Sequence, residues 1–160
     1  MPESPATSAT PLYRKLGIKA GHRVAVLHAP GEFEALLGQL PEGVELLRSL
    51  AGVGMGEAEA GEPFDVIVWF GTSRDGLREI IETVRGALSR GALAQSGGLW
   101  IGWPKRNSGI ETSVDADVVR EIALPTGLVD NKICAIDASW SGIRLVLRRE
   151  MRDDRKTYTA

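Results

Sequence analysis

The amino-acid sequence predicts a three-layer α/β fold, in which a mostly parallel sheet carries helices on both faces and ends in an antiparallel hairpin. Two observations predict this architecture. Short apolar runs typical of buried strands alternate with segments that repeat apolar residues at helical spacing, as in parallel sheets. The last two strand-like segments follow each other without a helix, and the joining residues "ASWS" have hairpin spacing.

The predicted strands share runs of aliphatic, β-branched and aromatic residues. In chain order they are 22–29, 43–50, 64–73, 97–103, 128–137 and 142–149. The first, "HRVAVLHA", is nearly continuously apolar, as expected of a strand that helices cover on both faces. The third, "FDVIVWFGTS", has the strongest strand pattern in the chain.

The predicted helices share apolar residues three and four positions apart. In chain order they are 10–18, 31–40, 74–90 and 112–127. In the third helix one stripe is expected to face the core, formed by Leu77, Ile80, Ile81, Val84 and Leu88. Thr72 with Asp75 resembles a capping box before this helix. Thr112 or Ser113 is expected to cap the last one.

Size and charge fit one domain without a strong electrostatic partner. A chain of 160 residues is within the range of about 100–200 for a typical domain, and a net charge of −2 favours neither nucleic acid nor an anionic membrane. The sequence has one cysteine, no secretory signal and no apolar run near the ~20 residues of a membrane helix. We expect a cytoplasmic protein with a disordered segment at 1–9, an α/β domain at 10–150 and a flexible tail at 151–160.

One edge of the predicted sheet collects polar, cationic and aromatic side chains. In an open α/β sheet, ligands bind beyond the carboxyl ends of the strands, near the switch in strand order. The residues at those ends are therefore the candidate ligand-binding residues. They are His28, Thr72, Ser73, Arg74, Trp103, Lys105, Arg106, Asp137, Trp140 and Ser141. The sequence has no Walker loop, C-x-x-C or H-E-x-x-H pattern, and we predict no catalytic residue, no metal ligand and no cofactor.

Several of these residues have two interpretations. Lys105 and Arg106 could hold an anion, or they could be solvated surface cations. Trp103 and Trp140 could form an aromatic wall for a flat or cationic ligand, or they could roof the core. His28 has no second histidine nearby in sequence, which favours a structural role over a catalytic one.

Other polar features are interpreted as structural. Ser73 lies in "GTSRDG", which lacks the G-x-S-x-G pattern of a nucleophile elbow, so Thr72 and Ser73 are expected to be helix caps. Cys134 falls in the middle of a strand, where a thiol is a small buried apolar group. The segment "GVGMGEAEAG" (52–61) looks like a dinucleotide-binding motif, but it leads into a strand and its acids would repel a phosphate. We expect a flexible loop there.

The chain resembles a family of short bacterial proteins of unknown function over roughly residues 10–149. The matching segments are "LGIKAGHRVAVLHAP", "FDVIVWF", "GGLWIGWPKRNSG" and "DVVREIALPTGLVDNKICAIDASWSGIRLVLR". This resemblance implies no activity. The order of elements and the final hairpin resemble more widely the class I S-adenosylmethionine-dependent methyltransferase fold, a Rossmann-like sheet.

The sequence departs from the methyltransferases at both positions that hold their cofactor. Their first strand ends in an acid and a glycine-rich turn, whereas "LHAPGEFEALL" has one glycine, and Pro30 lacks a backbone N–H and fixes φ. Their second strand ends in an acid for the ribose hydroxyls, whereas Arg48 stands near that place. "FGTSRDG" also lacks the Asn-Pro-Pro-Tyr type of motif used to methylate amino groups. These departures together favour loss of the cofactor site.

Three functions remain open from the sequence. The favoured one is a non-catalytic binding or regulatory protein on a methyltransferase-like scaffold, with a small anionic or aromatic ligand. One alternative is a divergent S-adenosylmethionine-dependent methyltransferase or another small-molecule enzyme. The other is a structural or assembly partner, in which the last strand "GIRLVLRRE" or a helix face forms a homo-oligomer. We expect neither nucleic acid nor membrane as a partner.

Overall fold

The computed structural model describes residues 10–49, 63–91 and 93–151. The α-helices are α1 Leu12–Lys15, α2 Phe33–Leu37, α3 Arg74–Arg90 and α4 Ala116–Ala123. The strands are β1 Arg23–Leu27, β2 Glu45–Leu47, β3 Phe64–Phe70, β4 Leu93–Pro104, β5 Leu128–Ala135 and β6 Trp140–Leu147. Two 3-10 turns follow β4 and α4, at Arg106–Ser108 and Leu124–Thr126.

The six strands of the described residues form one sheet in the order β2-β1-β3-β4-β6-β5. Strands β1, β2, β3 and β4 are parallel, and β6 lies antiparallel between β4 and β5. The chain therefore moves outward from β1 to β2 and then crosses to the other side of β1 at β3. This reversal is the topological switch point of the sheet. The predicted mixed sheet with a C-terminal antiparallel hairpin is confirmed.

The hydrophobic core lies on both faces of the sheet, as predicted. Apolar residues of α3 and α4 pack on one face, and those of α1 and α2 pack on the other. Trp100, which is fully buried, links β4 to α1 because its indole Nε1 donates a hydrogen bond to the Leu16 carbonyl at 3.0 Å.

Helix α3 spans the predicted residues, and its predicted apolar stripe is buried against the sheet. Its cap is one of the two residues that the sequence predicts. The Ser73 hydroxyl accepts the N–H of Gly76 at 3.0 Å, so Ser73 itself begins the helix, and the capping box of Thr72 and Asp75 is wrong.

The cap of α4 differs from the prediction. The Asp115 carboxylate accepts the N–H of Val118 at 2.9 Å and begins the helix. Thr112 and Ser113 lie before it, and their hydroxyls instead contact the carbonyl of Thr72. The predicted caps are wrong because a stronger acceptor stands closer to the first helical turn.

Two further predictions need correction, and three others concern residues outside the described ranges. The sequence places Met151 in the flexible tail, but this residue is half-buried against the core on the α3 and α4 face. Strand β6 pairs with a strand on each side, so it offers no free edge for a second copy of the chain. The predicted disordered segment 1–9, the loop 52–61 and the tail beyond Met151 lie outside the described residues. Within the described residues no helix has the length and apolar character to cross a bilayer.

Candidate functional site

The carboxyl ends of the parallel strands meet at one edge of the sheet. Strands β1, β3, β4 and β5 end there, and the β5–β6 turn lies at the same edge. All ten candidate residues of the sequence analysis lie at or next to this edge. The structure divides them into three groups, which lie after β1, after β3, and around the end of β4 and the hairpin.

The group after β1 borders a cavity of about 320 Å³. It is lined by Val26, His28, Ala29, Pro30, Gly31, Glu34 and Arg48. His28 is exposed and has a φ of 59°, the one positive φ of a non-glycine residue within the described ranges. Such a backbone conformation is uncommon for a residue with a Cβ, and it recurs at ligand-binding turns. The cavity lies beside the switch point, where this class of sheet binds ligands.

An ion pair lines the same cavity. The guanidinium of Arg48, just after β2, donates from Nε and from one terminal nitrogen to the two carboxylate oxygens of Glu34, at 2.7 and 2.6 Å. Glu34 lies in the first turn of α2, so the pair joins the two segments that flank β1. Bidentate pairs of this kind fix both side chains in one geometry. Both remain partly exposed, and the cavity is open to them.

Sequence reasoning missed this pair, although a signal was present. A β-α-β unit returns the chain to the same edge of the sheet, so a charge in the first turn of the helix and a charge after the second strand come together. Arg48 was expected near the ribose-binding position, but its partner Glu34 could be assigned only once β2 was known to pair with β1. Of the ten predicted residues, His28 is the one that lines this cavity.

The group after β3 is engaged in structural contacts. The carbonyl of Thr72 accepts the N–H of Ser113 at 2.9 Å, in addition to the two hydroxyl contacts described above. The Ser73 hydroxyl caps α3, and Arg74 pairs with Glu121 of α4 at 3.0 Å. Hydrogen bonds therefore hold the segment that precedes α4 against the end of β3. This arrangement confirms the interpretation of Ser73 as a cap.

The group around the hairpin shapes the β5–β6 turn. The Asp137 carboxylate accepts the N–H groups of Ser139 and Trp140 at 2.7 and 2.8 Å, so it closes the turn as an Asx motif. The N–H of Lys105 donates to the carbonyl of Ser139 at 2.7 Å, which ties the end of β4 to the turn. The side chain of Lys105 is half-buried and that of Arg106 is exposed.

The two tryptophans of this group cannot form one aromatic wall. Trp103 is buried in the core on the α3 and α4 face, whereas Trp140 packs against the core of the opposite face. They sit at successive positions of the β4–β6 ladder, where Trp103 pairs with Ser141 and Pro104 pairs with Trp140. Because neighbouring positions of a strand point to opposite faces, the two rings are separated by the sheet. The alternative interpretation, in which each covers the core, is the correct one.

A row of three aromatic rings packs in the core on the α1 and α2 face, near the carboxyl ends of the strands. Phe70 meets Phe33 of α2 edge-on at 4.9 Å and Trp140 at 5.4 Å between ring centroids. Gly102 leaves the space for Phe70, because a Cβ at position 102 would lie 2.8 Å from the Phe70 ring. This row joins the start of α2, the end of β3 and the hairpin into one packed unit.

Cys134 is the single free thiol of the chain. It is half-buried against the core on the α1 and α2 face. Burial raises the pKa of its thiol, and the nearby charges of Lys15 and Lys132 oppose that shift. A thiol with a raised pKa is a poor nucleophile at neutral pH, which agrees with the structural role predicted for it. No group of three or more metal-ligating side chains occurs in the described part of the chain.

The strand order and the reversed β6 define a methyltransferase-like, Rossmann-type α/β protein. A release-factor-specific protein-(glutamine-N5) methyltransferase from Alicyclobacillus acidocaldarius is 20% identical, covers 91% of this chain and 94% of its own, and has a TM-score of 0.50. An S-adenosylmethionine-dependent methyltransferase from Aquifex aeolicus is 15% identical, covers 84% and 86%, and also scores 0.50. Fibrillarin from Aeropyrum pernix, solved with bound S-adenosylmethionine, is 14% identical, covers 86% and 69%, and scores 0.50. At these identities the likeness shows a shared fold and carries no activity with it.

The chain belongs to the family described as "Protein of unknown function (DUF3052)", whose pattern matches residues 42–149. This match covers β2 to β6 and confirms the resemblance to an unknown-function family. No curated protein matches the chain significantly in sequence.

Proposed function

We propose that this chain is a small-molecule-binding protein that uses the methyltransferase-like frame without transferring methyl groups. The observation that carries the proposal is the bidentate ion pair between Arg48 and Glu34 beside the cavity at the ends of β1 and β2. That cavity has the position at which open α/β sheets bind their ligands. The chemistry of its lining differs from what a nucleoside cofactor requires.

The ribose of a nucleoside cofactor needs an acceptor at the end of the second strand. Arg48 stands there, and a guanidinium has donors only. The carboxylate that approaches it, Glu34, already accepts from Arg48 through both oxygens. A ribose diol would have to break this pair in order to bind Glu34. The described lining therefore disfavours S-adenosylmethionine in its usual pose.

The turn after β1 also disfavours that cofactor. Pro30 has no N–H to donate and holds φ near −65°, so the backbone at this point cannot close around a bound tail. In this turn the positive φ falls on His28, a residue with a Cβ, and not on a glycine. The turn is fixed by its own residues and lacks the freedom of a glycine-rich loop.

The lining instead suits a small anionic ligand. The side chain of Arg48 is 69% exposed and that of His28 is exposed, so both can donate to an anion without large rearrangement. A volume of about 320 Å³ lies at the lower end of the roughly 300–1,000 Å³ typical of small-molecule sites. Within this proposal, the ligand binds the terminal nitrogen of Arg48 that does not hold Glu34, so the ion pair persists.

A thermal-shift screen of organic acids, sugar phosphates, nucleotides and S-adenosylmethionine tests the proposal. A ligand at about 100 times its Kd stabilises the fold by about 2.7 kcal/mol, and this raises the Tm by roughly 5–10 °C for a domain of this size. We expect an anionic compound to produce such a shift and S-adenosylmethionine to produce neither a shift nor heat in titration calorimetry. Saturable binding of S-adenosylmethionine would refute the proposal.

A pair of single variants and one double variant locate the ligand. Arg48→Ala should abolish the ligand-induced shift while lowering stability by less than ~1 kcal/mol, because exposed ion pairs contribute little. Arg78→Ala removes a similarly exposed arginine, paired with Asp75 on α3, and should leave the ligand-induced shift intact.

Lys105→Ala combined with Arg106→Ala should leave the Tm of the free protein nearly unchanged, since Arg106 is exposed, Lys105 is half-buried, and neither side chain forms an ion pair within the described residues. If this double variant loses ligand binding and Arg48→Ala does not, the anion binds near the hairpin and the assignment to the cavity is wrong.

A divergent methyltransferase is the second candidate, favoured by one observation. The cavity lies at the same edge of the sheet at which this fold binds ligands. This candidate predicts transfer of a labelled methyl group from S-adenosylmethionine to a component of broad lysate fractions. Reproducible transfer that Arg48→Ala abolishes would support it over a binding protein.

A further inference from the structure

We propose that the ligand of the cavity after β1 is a zwitterion, namely an α-amino acid with a small apolar side chain. This ligand is a narrower form of the small anion proposed above, and the inference rests on that proposed function. Its anionic group is a carboxylate, and an ammonium group stands on the next carbon. The observation that carries the inference is that the cavity presents a guanidinium and a carboxylate side by side, from Arg48 and Glu34.

The two charges of this ion pair oppose each other in the lining. Arg48 supplies a positive charge and Glu34 a negative one, and their contacting atoms are 2.7 and 2.6 Å apart. A purely anionic ligand at Arg48 is attracted by the guanidinium and repelled by the neighbouring carboxylate. A ligand that carries both charges can place its carboxylate at Arg48 and its ammonium group at Glu34. The electrostatics of the lining therefore favour a zwitterion over an anion of the same size.

Both members of the pair retain the capacity to bind a ligand. Arg48 donates to Glu34 from Nε and Nη2, so the N–H groups of Nη1 stay available, and Nη1 makes no hydrogen bond to a described residue. Each carboxylate oxygen of Glu34 accepts one hydrogen bond and has a second lone pair. An ammonium group needs one such lone pair and can bind while the ion pair persists. A ribose diol, in contrast, needs the side of the carboxylate that Arg48 already occupies.

The closeness of the two protein charges points to an α-amino acid. Because Arg48 and Glu34 are in direct contact, a ligand that faces both needs its own two charges close together. An ammonium group and a carboxylate on one carbon meet this condition, and a longer spacer between them does not. The side chain of Arg48 is 69% exposed and that of Glu34 is 39% exposed, so a ligand can reach both from solvent.

The remaining lining determines the kind of ligand side chain. Val26, Ala29 and Pro30 line the cavity with aliphatic side chains, and Val26 is buried at the end of β1. These residues offer apolar surface and no side-chain hydrogen-bonding group. A cavity of about 320 Å³ has room for a compact ligand. Alanine, valine and leucine are therefore the amino acids that we expect to fit.

Nuclear magnetic resonance titration with alanine, valine and leucine and with the matching α-hydroxy acids, at pH 7 and constant ionic strength, tests the inference. Each hydroxy acid keeps the carboxylate and the side chain but lacks the ammonium group. We expect saturable shifts of the amide resonances of His28, Ala29 and Gly31. For at least one side chain the Kd of the amino acid should be about 3- to 10-fold lower than that of the hydroxy acid, the effect of one added charge pair.

The outcomes separate this inference from the function on which it rests. Hydroxy acids that bind as tightly as the amino acids, or more tightly, would overturn the zwitterion and support the simple anion site. If no amino acid binds, the inference is wrong, and the thermal-shift screen decides separately whether another anion binds.

Three variants assign the two charges of the ligand. Glu34→Gln removes the partner of the ammonium group and should bring the two Kd values to within about 2-fold of each other. Glu32→Gln is the matched control, because Glu32 is exposed, does not line the cavity and does not cap α2 with its side chain, so the preference should persist. Arg48→Gln should weaken both ligands by roughly 10-fold or more, since their shared carboxylate loses a charged donor. A preference that survives Glu34→Gln would refute the inference alone, whereas binding that is unaffected by Arg48→Gln would refute the proposed function as well.

Discussion

Replacing Trp100 by phenylalanine tests how the first helix is held on the sheet. The indole is fully buried, and its Nε1 donates to the carbonyl of Leu16 at 3.0 Å across 84 positions of sequence. Leu16 is itself fully buried, and no other donor reaches its carbonyl in the described residues. A phenyl ring would keep most of the packing but would leave this carbonyl without a partner.

The expected loss of stability has two parts. A buried carbonyl left without its hydrogen bond costs about 1–3 kcal/mol. The smaller ring buries less apolar area and leaves a void, which costs roughly 1 kcal/mol more. The sum, about 2–4 kcal/mol, corresponds to a Tm lower by roughly 5–15 °C for a chain of this size.

Urea unfolding followed by circular dichroism measures this loss. The midpoint should fall while the slope m stays constant, because the surface exposed on unfolding hardly changes. Trp140→Phe is the matched control, since Trp140 is half-buried and its indole N–H makes no hydrogen bond in the described residues. If Trp100→Phe costs no more than Trp140→Phe, the hydrogen bond to Leu16 does not stabilise the attachment of α1 and this reasoning is wrong.

Four further predictions follow from the local surroundings of single residues. Ser73→Ala removes the cap of α3 and should lower stability by about 1 kcal/mol in urea unfolding, whereas Thr72→Ala, which keeps the bonded carbonyl, should be nearly neutral. Gly97→Ala would bring a Cβ within 2.5 Å of a backbone oxygen of β3 and should cost about 1–3 kcal/mol in thermal unfolding. Gly31→Ala meets no atom within 4 Å and should be neutral or stabilising by up to ~1 kcal/mol. Burial raises the pKa of the Cys134 thiol, so the folded chain holds less thiolate at a given pH than the unfolded chain. The folded chain should therefore react with iodoacetamide at pH 8 more slowly than the urea-unfolded chain. Equal rates would contradict the burial of the thiol.

Local patterns in the amino-acid sequence are enough to predict the longest elements. The 17 residues of α3 carry one continuous apolar stripe, and helix formation depends on contacts within four residues, so the predicted and observed bounds agree. The hairpin of β5 and β6 was predictable for the same reason. So was the edge at which ligands bind in this class of fold, since parallel strands all end on one side.

The residues that meet across that edge depend on how the strands pair. Strand β6 inserts between β4 and β5, and β2 pairs with β1. The spacing of apolar residues within a single segment predicts neither pairing. These pairings bring Glu34 to Arg48 and separate Trp103 from Trp140 by the thickness of the sheet. Register and strand order depend on the packing of the whole core, so side chains distant in sequence acquire their partners only when the sheet is assembled.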